Sequence, residues 1–283
     1  MAKYRRLRDR IVGDPFFLQD VLLVPNAATV EQLCLAHDRD YVNRVLAGSL
    51  SAAEIKRIGF PWTPAMVERS QRSSGATLAA ARHALLDGIA VNMAGGTHHA
   101  MRDAGEGFCV FNDAGVAIMT LLTESRIQSA VVVDCDVHQG NGTAQIFSDI
   151  HEVFTLSLHG QKNFPLRKSP SDLDIDLPDG TTDQEYMEAL ASAINRVLLQ
   201  GPFDLAIYLA GADPFEGDRL GRLKLTKQGL AARDELVISE LRCQKIPVAI
   251  AMAGGYAHSI DDIVDIHLQT IRIASEQCRR EAN

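Results

Sequence analysis

Five short apolar runs, residues 89–93, 130–133, 153–158, 205–209 and 248–252, are separated for the most part by stretches of helical periodicity. Short strands alternating with helices bury both faces most readily as a parallel sheet with helices on either side. The pattern therefore predicts an α/β fold with one open, doubly wound parallel sheet, and no linker or repeat divides residues 1–283 into more than a single domain. The runs end in Gly95-Gly96-Thr97-His98-His99, Asp134-Cys135-Asp136-Val137-His138, Ser157-Leu158-His159, Gly211-Ala212-Asp213 and Gly254-Gly255-Tyr256. In a parallel sheet such ends share one rim, the edge at which ligands bind.

Helices are expected over residues 2–11, 38–47, 52–58, 114–122, 184–199, 229–242 and 260–273. Ser51 with Glu54, and Thr182 with Glu185, have the spacing of capping boxes. Thr63-Pro64 opens a further long helix in N-cap and N1 order and Gly88 closes it, although Gly75 argues against one unbroken run. Asp172, Asp174 and Asp176 alternate with apolar residues, as on the solvated face of an edge strand.

The net charge of −8 argues against direct nucleic-acid binding and is compatible with cationic or amine-bearing ligands. Five cysteines without paired spacing fit reduced thiols in a cytoplasmic protein. No run approaches the ~20 apolar residues of a membrane span.

Asp136 and His138 stand two apart at one strand end and so point the same way, while Asp213 arrives from another strand. Two carboxylates and an imidazole with room for a further ligand suit a catalytic metal. His98 and His99 follow two glycines and are candidates for acid/base and electrostatic roles, with Asp134 and Asn141 as their orienting partners. Tyr256 is a candidate phenolic donor to a developing oxyanion. Cys109 and Cys135 read as small core residues. His37, His83, His151, His258 and His267 lack metal spacing and read as surface or helix residues, while His159 sits at a strand end, within reach of the rim.

Taken together, Gly-Gly-Thr-His98-His99, Gly107-Phe108-Cys109, Phe111-Asn112-Asp113, the segment from Asp134 to Thr143, Ala210-Gly-Ala-Asp213 and Gly254-Gly255-Tyr256 resemble the histone deacetylases and the acetoin-utilisation or acetylpolyamine deacetylases of the arginase–deacetylase superfamily. The segments beginning at Glu216 and Arg233 look most like the class IV branch and its bacterial relatives. The resemblance implies that Asp136, His138 and Asp213 bind Zn²⁺ or Fe²⁺. It implies that His99 is the general base and acid, that His98 is its electrostatic partner buttressed by Asp134, and that Tyr256 polarises the carbonyl. Phe108 and Phe164 would line an acyl-lysine tunnel, Gly107 would offer its carbonyl to the substrate amide, and Gly254 and Gly255 would border the substrate. Asp134, Asp136, His138, Ser157 and Leu158 match a structural monovalent-cation site, expected to hold K⁺. The implied substrate is an acylated lysine peptide or another acylated amine, an acylpolyamine among them. Competing functions are an arginase-like ureohydrolase and a binding protein for acyl-lysine with a weakened site. No oligomeric state is implied.

Three departures from the family pattern stand out. Asn141 replaces a carboxylate found in some members, which should make His99 less basic. The stretch Phe60-Pro61-Trp62 carries no acidic residue of the kind that clamps a peptide backbone. Met1-Ala-Lys-Tyr-Arg resembles a segment usually preceded by a first strand and an active-site loop, so an edge strand and part of the pocket wall are expected to be missing.

Overall fold

A computed structural model describes residues 2–282. The helices are α1 (Ala2–Gly13), α2 (Val30–Ala36), α3 (Arg39–Ala47), α4 (Ala52–Ile58), α5 (Pro64–Asp87), α6 (Asp113–Thr123), α7 (Asn141–Phe147), α8 (Asp183–Leu198), α9 (Lys227–Cys243) and α10 (Ile260–Ala282). The strands are β1 (Ile89–Asn92), β2 (Ala130–Asp134), β3 (Val153–Gly160), β4 (Leu173–Leu177), β5 (Leu205–Leu209) and β6 (Val248–Ala251). All the ladders are parallel, and the spatial order is β1-β6-β5-β2-β3-β4. From β2 the chain moves outward through β3 to β4, and from β5 it moves the other way to β6. The β2–β5 junction is therefore the switch point, where a crevice opens beyond the strand ends.

The sheet is covered on both faces. Val131, Val133, Tyr208 and Ile250 pack under α1, α8, α9 and α10, whereas Val132, Ile207 and Leu209 pack under α5, α6 and α7. Every residue of β2 and β5 is buried, which contributes about 1.5–3 kcal/mol for each large aliphatic side chain. A third cluster joins α2, α3 and α4 to α5, α6 and the loop before α6 through Leu33, Tyr41, Val45, Met66 and Phe111.

The five expected strands are present, and of the alternating aspartates Asp174 and Asp176 lie on β4, at the sheet edge, with Asp172 just before it. Two of those aspartates are bonded rather than merely solvated. Asp172 accepts from Thr155 N–H and hydroxyl at 2.8 Å, and Asp174 accepts from Gln139 Nε2 at 2.9 Å. The Ser51–Glu54 box caps α4, and Glu185 accepts from the Thr182 N–H at 2.8 Å at the start of α8.

Helix α5 runs unbroken through Gly75, contrary to the expectation of an interruption. A Cβ at that position would lie 2.0 Å from the Asn26 carbonyl oxygen, so glycine here allows a loop to cross the helix rather than marking its end. Helix α2, opened by a Thr29–Gln32 capping box, and helix α7 were not anticipated. Among the described residues no helix is long and apolar enough to cross a membrane.

Candidate active site

The polar strand ends meet beyond β2, β5 and β6. Leaving β2, Asp134 accepts from the Asp136 N–H at 3.1 Å, and Asp136 Oδ1 accepts from the His138 N–H at 2.9 Å. These short loops of backbone bonding turn both acids and the imidazole toward the crevice. Beyond β5, Asp213 Oδ1 accepts from the Val137 N–H at 2.9 Å, which ties the two strand ends together. Beyond β6, Gly254 N–H donates to Asp136 Oδ2 at 2.8 Å. Glycine is required at 254, because a Cβ would stand 1.9 Å from Asp213 Oδ2 and 2.5 Å from Asp136 Oδ2.

Asp136, His138 and Asp213 thus offer one ligand atom each within 4.8 Å of one another. His138 Nδ1 lies 3.0 Å from Asp136 Oδ1 and 3.4 Å from Asp213 Oδ2. Asp213 Oδ2 is buried and accepts no hydrogen bond, a costly condition for a carboxylate oxygen unless a cation faces it. Burial resists charge on His138, but Asp136 and Asp213 overcome it and raise the ring to about 10. Burial and the Asp136 charge raise Asp213 to about 6. In chemical terms the cluster attracts positive charge, and its oxygen and nitrogen donors fit a divalent transition metal.

The loop after β1 brings in the two adjacent histidines. Asp113, buried at the start of α6, accepts from Gly96 N–H at 2.9 Å and Thr97 N–H at 2.7 Å, which fixes the turn before them. His98 Nδ1 lies 2.5 Å from Asp134 Oδ2, and His99 Nδ1 lies 2.7 Å from Asn141 Oδ1. The ring centroids are 4.1 Å apart. Their electrostatic environments diverge. Burial opposes charge on His98, but Asp134 and Asp136 outweigh it and raise the ring to about 9. Burial, then the neighbouring His98 and His138, push His99 well below the usual imidazole range. The surroundings of the first ring thus favour its charged form and those of the second its neutral form.

A cavity of about 1700 Å³ reaches this cluster and is lined by His98, His99, Asp136, His138, Asp213 and Tyr256. Phe108 and Phe164 stand at its half-exposed rim, 42% and 37% exposed. Phe164 meets His99 edge-on with centroids 4.8 Å apart, while Phe108 lies 5.9 Å from Tyr256 and 5.2 Å from Phe60. Phe108 holds a left-handed φ of 65°, a strained conformation that turns the chain where Gly107 passes His99. Tyr256 is held by its N–H, which donates to Asp218 Oδ2 at 2.6 Å, and burial raises its phenol above the usual range. Asp134 and Ser157 are register partners on β2 and β3, and Leu158 is buried beside them.

Several supporting residues were missed or misjudged from sequence. His37 is no surface residue: it is buried, its Nε2 accepts from the Asn112 N–H at 2.9 Å, and its Nδ1 lies 2.7 Å from the Met101 carbonyl. It thereby fixes both ends of the loop bearing Phe108. His267 lies in α10 but is buried. His159 is fully buried, bonded to Ser157 Oγ at 2.9 Å and facing Asp176 at 3.0 Å, and it does not line the cavity. Arg233 lies buried behind the cluster and donates to the carbonyls of Gly211 at 2.6 Å and Cys135 at 3.3 Å. Glu106 backs Asn141, accepting from its Nδ2 at 3.2 Å. An arginine beside an aspartate in a helix reads as surface charge until the fold reveals its depth, whereas Glu106 had a usable signal in its closeness to Gly107 and Phe108.

Residues 1–271 match the family model described as "Histone deacetylase domain". The chain is 41% identical over 276 residues to an uncharacterized protein of Picosynechococcus, covering 98% of this chain and 92% of that protein. It is 30% identical over 268 residues to histone deacetylase 2 of Arabidopsis thaliana, covering 91% and 69%. The crystal structure of a histone deacetylase homologue from Aquifex aeolicus superposes with a TM-score of 0.80 at 22% identity, over 96% of this chain and 77% of that one.

Proposed function

The chain belongs to the histone deacetylase family, and from that premise we propose that it is a metal-dependent amidohydrolase removing an acetyl or longer acyl group from an acylated lysine or a related amine. The observation carrying the reading is the buried Asp136–His138–Asp213 cluster, with its unbonded carboxylate oxygen, in the same cavity as the two histidines and the tyrosine. These residues would hold Zn²⁺ or Fe²⁺, which when bound supplies Lewis acidity to an amide carbonyl and lowers the pKa of water towards about 7.

The remaining work falls to the side chains. His99, kept neutral by burial, accepts the proton of the attacking water and returns it to the departing amine nitrogen. His98, raised by Asp134, contributes a fixed positive charge beside the developing oxyanion. Tyr256 donates its phenolic proton to that oxyanion in a hydrogen bond. Phe108 and Phe164 flank the acyl-bearing chain, the Gly107 carbonyl accepts from the substrate amide N–H, and Gly254 and Gly255 bring backbone close to the acyl group. An acylated amine is neutral and suits this aromatic passage, whereas the freed ammonium does not, which assists release. Asp134, Asp136 and His138, with Ser157 and Leu158, are assigned to a structural K⁺.

A small acylated amine such as an acylpolyamine is a second substrate reading, favoured by the aromatic Phe60–Phe108 contact where a peptide clamp would need an acid. Metal analysis combined with release of free amine from a panel of acyl-lysine peptides and acylpolyamines tests both. Metal binding with turnover of one class is the expected result. Metal binding without turnover would point to an acyl-lysine binding protein, and urea production to a ureohydrolase.

A further inference from the structure

We propose that Glu106 is a positioning residue that sets the tautomer of His99 through the side-chain amide of Asn141. The inference rests on the reading above that His99 is the proton acceptor. A neutral imidazole carries its proton on one nitrogen and accepts on the other. With Nδ1 turned to Asn141, only Nε2 remains available to a reacting group. His99 can accept a proton there only if Nδ1 bears the ring hydrogen, and that requires an acceptor opposite Nδ1.

A carboxylate would meet the requirement in any rotation, because both its oxygens accept. An amide does not. Turned one way, Asn141 presents Oδ1 and selects the competent tautomer; turned by half a rotation, it presents Nδ2, puts the ring hydrogen on Nε2 and blocks proton acceptance. Nothing in the His99–Asn141 pair alone chooses between these two arrangements, since each is a satisfied hydrogen bond of nearly the same shape.

Glu106 supplies the choice. Its Oε2 stands 3.2 Å from Asn141 Nδ2, and a carboxylate offers acceptors only, so the amide nitrogen is kept on the Glu106 side and Oδ1 on the His99 side. The carboxylate is itself fixed from two directions. Its backbone closes a two-way bridge with Cys109, Glu106 N–H to Cys109 O at 3.0 Å and Cys109 N–H to Glu106 O at 2.8 Å. Arg57 approaches its carboxylate at 3.3 Å and 3.4 Å. Because that ion pair is partly exposed, it adds little to stability; its value lies in orientation. The hydrogen-bond chain thus runs from His99 through Asn141 to Glu106, with the carboxylate that some members place beside this histidine displaced one residue outward.

The test compares parent, Glu106→Gln, Asn141→Asp and the double variant as metal-loaded full-length chains. Glutamine keeps the size of Glu106 but can donate or accept, which releases the amide. Long-range ¹H–¹⁵N spectra of ¹⁵N-histidine-labelled protein should show His99 protonated at Nδ1 in the parent and a mixture of tautomers in Glu106→Gln. Turnover should fall about 10-fold, the lower end of the range for groups that orient a metal-site residue, with KM and metal content unchanged. In the Asn141→Asp background, where no amide needs orienting, His99 should stay protonated at Nδ1 with either residue at 106, so in the tautomer readout the two substitutions are strongly non-additive. A His99 that stays wholly Nδ1-protonated in Glu106→Gln, or an equal shift of tautomer in both backgrounds, would overturn the proposal. A parent that binds metal but releases no amine would instead remove the deacylase reading, while the spectra would still decide the tautomer.

Discussion

The floor of the cavity and its rim are built on different principles. On the floor, Asp134, Asp136 and Asp213 each accept from a backbone N–H, the first two within their own loop and Asp213 from the neighbouring strand end, and all are buried. At the rim, Phe108 and Phe164 are more than a third exposed and held through ring contacts and a strained turn. Rigid geometry is needed where charge develops, because a misplaced donor or ligand forfeits stabilisation of the transition state. At the rim only shape and polarity must match the substrate. On the proposed function, the same floor would serve different acyl groups or amines through changes confined to the rim.

Four experiments would break or sharpen that contrast. Removing a floor ligand should have the largest effect: Asp213→Ala is expected to empty the metal site and abolish turnover, whereas retained metal by elemental analysis would exclude Asp213 as a ligand. Tyr256→Phe, at the boundary between floor and rim, should lower kcat about 10²–10³-fold, the scale of one lost oxyanion donor. Steady-state rates unchanged from the parent would remove Tyr256 from the chemistry.

The third concerns the loop support. Burial depresses His37 from 6.5 to about 4. The folded chain therefore binds fewer protons here than the unfolded chain, and the contribution is present in full above pH 6.5 and lost as the pH falls towards 4. The loss reaches about 3 kcal/mol. Urea midpoints measured across this window should fall with acidification, and less steeply in His37→Gln; identical slopes would disconnect His37 from the acid sensitivity. The smallest effect is expected at the rim, where Phe108→Ala should raise KM about 10-fold, some 1.4 kcal/mol of apolar contact, and leave kcat within a factor of about two. A large fall in kcat would mean that the rim takes part in the chemistry.

The same division governed what could be read in the sequence. The parallel sheet was legible because Val131, Val132 and Val133 are flanked by turn chemistry, and the floor because each ligand stands at the end of such a run. Helix α7 was hidden, since Gly140-Asn141-Gly142 has the composition of a turn while the fold makes Asn141 its first residue. Gly75 looked like a breaker because its reason, a crossing loop, belongs to tertiary structure. His37 was misjudged, and the role of Arg233 went unread, because burial and long-range pairing, not residue type or local spacing, give them their roles.

The union of β2 with β5 and β6 has a consequence for how the protein comes into being. Val137 and Asp213 are 76 residues apart in the chain, and Asp136 and Gly254 are 118 apart. No short segment contains the complete cluster, so metal capture of the kind proposed would require the high-contact-order joining of distant strands. A metal held as proposed would make that union firmer the more free metal the surroundings contain, because an ion bound only by the folded chain draws the folding equilibrium toward it. On the proposed function, metal supply would govern the lifetime of the folded molecule as well as its reactivity.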